Sequence, residues 1–213
     1  MRTVVFDLDG TLLDVLKRYY YILIDYMTSV GLDVTNVDFE TYKKLKKKGF
    51  KEHQIVQQLL GCTLDIPNYV RYKRENLEEI AYLRVDSLVG DVLKHLESLK
   101  KQNYKLILLS QRRNVKNAHK QLQWLSLADY FDEVVFVQPN ERNAKLDWMR
   151  DRYFGELYIV GDGPLEMECA EVLCGKAFFV DTGLYTIERI KSKCEFCNTY
   201  TDAIKLLIEE GNN

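Results

Sequence analysis

The sequence predicts an α/β fold, a parallel sheet covered by helices and interrupted once by an all-helical insertion. Three observations predict it. Short apolar runs alternate with segments whose apolar residues recur at helical spacing. Beyond their first residues the runs are continuously apolar, as in strands covered on both faces, instead of alternating with polar residues. Residues 15–85 break the alternation, with several helical patterns and no convincing strand.

The first run, residues 3–6, is rich in β-branched side chains and stops at Asp7. Further runs lie at 105–109, 133–137, 156–160 and 177–180. Residues 92–101, 115–125, 145–153 and 166–173 between and after them carry helical spacing. Strands separated by helices of about ten residues read as βαβ units, which place strands parallel. Inside the insertion, helical patterns cover 19–30, 39–48, 52–60 and 69–82, with breaks at Gly31, Gly49, Gly61 and Pro67. The predicted division is a core of residues 1–14 and 86–213 and a helical cap of residues 15–85.

Composition narrows the class. A chain of 213 residues, 46% hydrophobic and 29% charged, suits a soluble globular enzyme. A net charge of −2 offers no basic excess for phosphate neutralisation, so nucleic acid is not an expected partner. The most apolar stretch, residues 19–24, is stopped by Asp25 and is far too short to span a bilayer. The amino terminus runs into a strand with acidic residues and does not read as a signal peptide. No membrane association and a cytoplasmic location are expected; composition sets no oligomeric state. Cys62, Cys169 and Cys174 read as small buried side chains. Cys194 and Cys197 form a lone CxxC without the second ligand pair that a structural zinc needs.

The chemistry is carried by strand ends. Asp7 and Asp9 are alternate residues of an extended chain, so both side chains can enter one pocket. Two desolvated carboxylates that close repel unless a cation sits with them. Ser110 follows the run at 105–109, Asp162 follows the run at 156–160, and Lys145 opens a helix after the run at 133–137. In open α/β sheets ligands bind at this carboxyl edge, so residues far apart in sequence converge there. Three carboxylates, a hydroxyl and a lysine make a phosphoryl-transfer set. Asp7 is the expected nucleophile, and Asp9 the acid and base. Thr11, Ser110, Gln111 and Lys145 are expected to hold the phosphorylated substrate. Asp7, Asp9 through its backbone carbonyl, and Asp162 would offer hard oxygen ligands that suit Mg²⁺. Glu166 is expected behind them, in the outer shell of the metal.

These residues resemble the haloacid dehalogenase superfamily, in its Mg²⁺-dependent phosphatase branch. The family pattern of DxDGT, a strand-ending Ser or Thr, a distal Lys and GDxxxD stands here as Asp7-Leu8-Asp9-Gly10-Thr11, Ser110, Lys145 and Gly161-Asp162-Gly163-Pro164-Leu165-Glu166. Glu166 replaces the commoner Asp, and Gly163 stands where a small hydroxyl residue is frequent. The resemblance implies a Rossmann-like core with a helical cap, and hydrolysis of a small phosphorylated metabolite through an aspartyl-phosphate. It also leaves open a phosphomutase, or a non-catalytic phosphate-binding regulator on the same scaffold. Within the cap, Lys47 and Lys48 precede a break at Gly49 and are candidates for charge presented to an anionic substrate. Arg112 and Arg113 read equally as substrate-rim contacts and as surface residues.

Overall fold

The structure, a computed structural model, describes residues 1–181, 185, 187 and 190–211. The chain divides into two compact units, Met1–Asp14 with Ser87–Asn213, and Val15–Asp86.

The first unit is built on β1 (Arg2–Phe6), whose Val4 and Phe6 have no exposed surface. A two-residue strand follows, β2 (Leu13–Asp14). The second unit contributes five helices, α1 (Leu16–Ser29), α2 (Phe39–Lys47), α3 (Glu52–Leu60), α4 (Ile66–Asn76) and α5 (Ile80–Leu83). The first unit resumes with β3 (Ser87–Leu88), α6 (Val92–Lys101), β4 (Tyr104–Gln111), α7 (Val115–Trp124), β5 (Glu133–Val137) and α8 (Ala144–Met149). It ends with β6 (Glu156–Gly161), α9 (Pro164–Val172), β7 (Lys176–Val180), β8 (Glu195–Cys197) and α10 (Tyr200–Gly211).

Six strands form one parallel sheet in the order β5-β4-β1-β6-β7-β8. The chain builds outward from β1 through β4 to β5, then returns to the other side of β1 through β6. β1 therefore lies beside the point where strand order reverses, the place where open α/β sheets bind ligands. Val5, Ile107, Leu109 and Ile159 from the central strands pack with Leu146, Met149 and Met167 of α8 and α9 on one face. Burying such aliphatic side chains contributes about 1.5–3 kcal/mol each and fixes the strand ends rigidly.

The departures from expectation are local. β4 runs two residues further than the apolar pattern, so Ser110 and Gln111 belong to the strand, and Asn114 caps the next helix by accepting from Asn117 N–H. The pattern at 69–82 is two helices, because a turn with Glu79 N–H donating to the Asn76 carbonyl separates α4 from α5. β8 was not expected; it holds the carboxyl half of the CxxC. Cys169 and Cys197 are buried, whereas Cys174 is exposed in the turn after α9, contrary to its reading as a buried side chain.

β2 and β3 pair antiparallel, Leu13 with Leu88 and Asp14 with Ser87, and Val89 N–H donates to the Leu12 carbonyl. The residues that enter and leave the helical insertion are thus hydrogen-bonded to one another. Within the insertion, Ile22, Leu23, Met27, Tyr42, Ile55 and Val56 make an independent core. Lys47 and Lys48 are exposed at the end of α2; the inward lysine is Lys46, which shares Glu52 Oε1 with Lys73, each at 3.4 Å. Asp86, assigned to the core by sequence, falls with the insertion, where its carboxylate lies 3.3 Å from Arg18 Nε and both side chains are wholly buried.

Removing one member of such a buried pair leaves the other charge uncompensated. Asp86→Ala is expected to destabilise the protein by roughly 3–5 kcal/mol, while Arg18→Met with Asp86→Leu loses less. Denaturant unfolding of the three proteins checks the order.

Candidate active site

Asp7 follows β1 directly, and its backbone N–H donates to the Val160 carbonyl of β6 at 3.0 Å. That bond extends the β1–β6 register by one residue and places Asp7 level with Gly161, next to Asp162. The chain then turns sharply. Thr11, Leu12 and Leu13 N–H groups all converge on the Leu8 carbonyl, and Gly10 sits at φ +77°, a conformation side-chain-bearing residues rarely adopt. Across the other edge of β1, Phe6 pairs with Leu108, so Ser110 lies two residues further along toward the same carboxyl edge.

Asp7, Ser110, Asp162, Lys145 and Glu166 are all buried. Lys145 Nζ makes ion pairs with Asp7 Oδ1 and with Glu166 Oε1. It is brought there by Asn143, which caps α8 by accepting from Lys145 and Leu146 N–H. The Asn143 amide also donates to the Leu165 carbonyl at 2.9 Å and Glu168 Oε2 at 3.0 Å, tying the start of α8 to the first turn of α9. Glu166 reaches back over Gly161. A Cβ on Gly161 would stand 2.4 Å from Glu166 Cγ, and one on Gly163 would stand 2.9 Å from Glu166 Oε2, so both glycines make room for this carboxylate.

Asp9 is held differently. Both of its oxygens accept from the Arg112 guanidinium, Oδ1 from Nη2 at 2.6 Å. Arg112 was read from sequence as a rim or surface residue; it is 2% exposed. Gln111, beside it at the end of β4, is half-buried, and Thr11 is fully buried with its hydroxyl unpartnered. Side-chain contacts thus assemble two groups, Asp7–Lys145–Glu166 and Asp9–Arg112, and strand register brings Asp162 and Ser110 to the same edge.

Burial pushes the Asp7 carboxyl up to about 6, against the pull of Lys145, and the negative charges of Glu166 and Asp9 add to the rise. Burial disfavours the Lys145 ammonium, but Asp7 and Glu166 outweigh it and hold that group above its usual range. Four carboxylates come to this edge, and among the described residues Lys145 and Arg112 pair with three of them. Asp7 and Asp162, hard oxygen donors at adjacent strand ends, fit a divalent ion. Among the described residues no three acidic side chains stand as a ready ligand set, because Asp9 is turned to Arg112 and Glu166 to Lys145.

The profile of the haloacid dehalogenase-like hydrolase family matches residues 4–174. The chain belongs to this family. No curated protein matches its sequence. Its fold is similar to that of a predicted phosphatase from Clostridium acetobutylicum, at 18% identity and TM-score 0.65 over 98% of each chain. A predicted phosphoglycolate phosphatase from Haemophilus somnus is similar at 16% identity and TM-score 0.66, over 97% of this chain and 98% of that one. A candidate beta-phosphoglucomutase from Thermotoga maritima is similar at 18% identity and TM-score 0.63, over 98% and 99%. At these identities the likeness is one of fold. Among the described residues of this haloacid dehalogenase-like hydrolase, no helix is long and apolar enough to cross a membrane.

The raised Asp7 carboxyl sets a sign for stability. The folded protein holds this proton more tightly than the unfolded chain does, so ionisation of Asp7 costs stability as pH rises from 3.8 to about 6. Asp7→Asn carries no such cost. In protein freed of divalent ions, the variant is expected to melt higher than the wild type at pH 8, with the difference closing below about pH 4. Thermal unfolding at the two pH values checks it.

Proposed function

We propose that this chain is a Mg²⁺-dependent phosphomonoester hydrolase that acts on a small phosphorylated metabolite through an aspartyl-phosphate on Asp7. The observation that carries the reading is the buried Asp7 carboxylate, just past the end of β1, with Lys145 ion-paired to it. A carboxylate there is poised to attack, and the lysine beside it is poised to take oxygens of the incoming phosphoryl group.

An Asp7 oxygen attacks phosphorus, the ester P–O bond breaks, and Asp9 delivers a proton to the leaving oxygen. Water then attacks phosphorus, Asp9 accepts its proton, and the P–O bond to Asp7 breaks to release inorganic phosphate and restore the carboxylate. Lys145 and Ser110 hold phosphoryl oxygens through both steps, with Thr11 and Gln111 at the same edge. Asp7, Asp162 and the Asp9 carbonyl would hold Mg²⁺, which supplies charge neutralisation as an anionic nucleophile meets an anionic phosphate. Glu166 keeps Lys145 aimed at Asp7. The family name includes dehalogenation, but that chemistry has no use for an acid at position 9.

Turnover of phosphomonoesters is expected to vanish on thorough chelation and return with Mg²⁺. Asp7→Asn is expected to lose at least ~1,000-fold in kcat while keeping its circular dichroism. Acid-quenched wild-type protein should carry labelled phosphate on Asp7. Substantial turnover by the folded variant rejects the nucleophile. Isomerised sugar phosphate without release of inorganic phosphate would reassign the chain as a phosphomutase, and phosphate binding without turnover as a regulator.

A further inference from the structure

Arg112 is more deeply buried than the carboxylate it serves. Its side chain is 2% exposed, while that of Asp9 is 19% exposed. Nη1 and Nη2 each donate to a different Asp9 oxygen. Nη2 donates also to Oε1 of Gln121 at 3.2 Å, and Gln121, on α7, has no exposed surface. The Arg112 backbone N–H donates to the Val137 carbonyl at 3.0 Å, which anchors the residue to the end of β5. The backbone of Arg112 is therefore anchored to β5, and its Nη2 is shared between Gln121 and Asp9.

We propose that Arg112, held by Gln121 and by its backbone bond to Val137, is the positioning residue of Asp9, fixing the plane of the carboxylate that serves the leaving oxygen. The proposal rests on the acid–base role of Asp9 given above. The physical argument is one of geometry. A carboxylate held by one hydrogen bond can still swing about its terminal torsion, whereas a planar fork that engages both oxygens sets position and plane together. A lysine would supply charge without the fork. Stability gives no equal reason for the pair, since exchanging a buried ion pair for apolar side chains of similar volume is often neutral or favourable. Gln121 spends a fully buried amide on Arg112 and so extends the positioning chain to α7.

The test is leaving-group dependence, read as kcat/KM for phenyl phosphate and p-nitrophenyl phosphate. The two esters have similar shape, but p-nitrophenolate departs without a proton and phenolate profits from one. A positioned general acid is worth ~100- to 10,000-fold, of which misorientation forfeits a part. Arg112→Ala is expected to lose roughly tenfold more on phenyl phosphate than on p-nitrophenyl phosphate. Arg112→Lys should keep most of that differential, and added guanidinium ion should narrow it in Arg112→Ala. Gln121→Leu should show a smaller differential of the same sign, and it carries the test if Arg112→Ala does not fold. Equal losses on both esters, or full rescue by Arg112→Lys, overturn the positioning role. Failure of wild-type protein to hydrolyse any phosphomonoester and to take labelled phosphate on Asp7 overturns the phosphatase reading and this inference with it; an active wild type with uniform losses in the variants overturns the inference alone.

Discussion

Charge burial at the carboxyl edge of the sheet governs this protein. Asp7, Asp9, Asp162 and Glu166 gather where the β1 and β6 strands end, in surroundings that strip water from most of them. Desolvation without partners can move a carboxyl group by several pH units and neutralise it. Two cations oppose that, and each is shared or doubled: Lys145 spans Asp7 and Glu166, and Arg112 grips both oxygens of Asp9. Much else follows from keeping these cations in place. Asn143 binds α8 to α9 so that Lys145 arrives beside Glu166. Gly161 and Gly163 vacate the volume that Glu166 fills. The demand is firmest at position 161, where a Cβ would overlap Glu166 Cγ and Cβ, whereas at 163 it would meet only the carboxylate tip.

The inner strands were legible because β1, β4 and β6 are buried along nearly their whole length and read as apolar runs; β5, at the edge, is half-buried throughout. Their ends were less so. Ser110 and Gln111 are polar, so the apolar pattern stopped at Leu109, although pairing with Phe136 and Val137 carries the strand through them. β8 is three residues long and has one buried residue, too little for any periodicity to register. Asp7, Asp9, Ser110, Lys145 and Asp162 were readable because each stands just past an apolar run or at a helix start beyond one.

Arg112 and Gln121 were not readable as a unit. The bond from Arg112 to Asp9 crosses 103 positions, and a pair of arginines after a strand looks like any solvated pair. Asn143 had a weak local signal, an Asn before a helical pattern, but its link to α9 is purely tertiary. Lys46 could have been found. Tyr42, Leu45 and Lys46 fall at the spacing of one helix face, which places this lysine on the apolar side of α2 and leaves Lys47 and Lys48 outside.

The small ribbon of β2 and β3 has a consequence for the chain as a polymer. By pinning Leu13–Asp14 to Ser87–Leu88, it makes everything between them a closed loop whose ends are already joined. The entropy of closing such a loop grows only with the logarithm of its length, about 0.6 kcal/mol for each doubling. The sheet is therefore nearly indifferent to how much chain hangs from that ribbon. An insertion could lengthen, shrink or be exchanged for another helical unit while the strand ends that carry Asp7, Ser110 and Asp162 keep their register. In a fold drawn this way, the edge that carries these carboxylates and the inserted unit can vary under separate pressures, with two pairs of hydrogen-bonded residues as the seam.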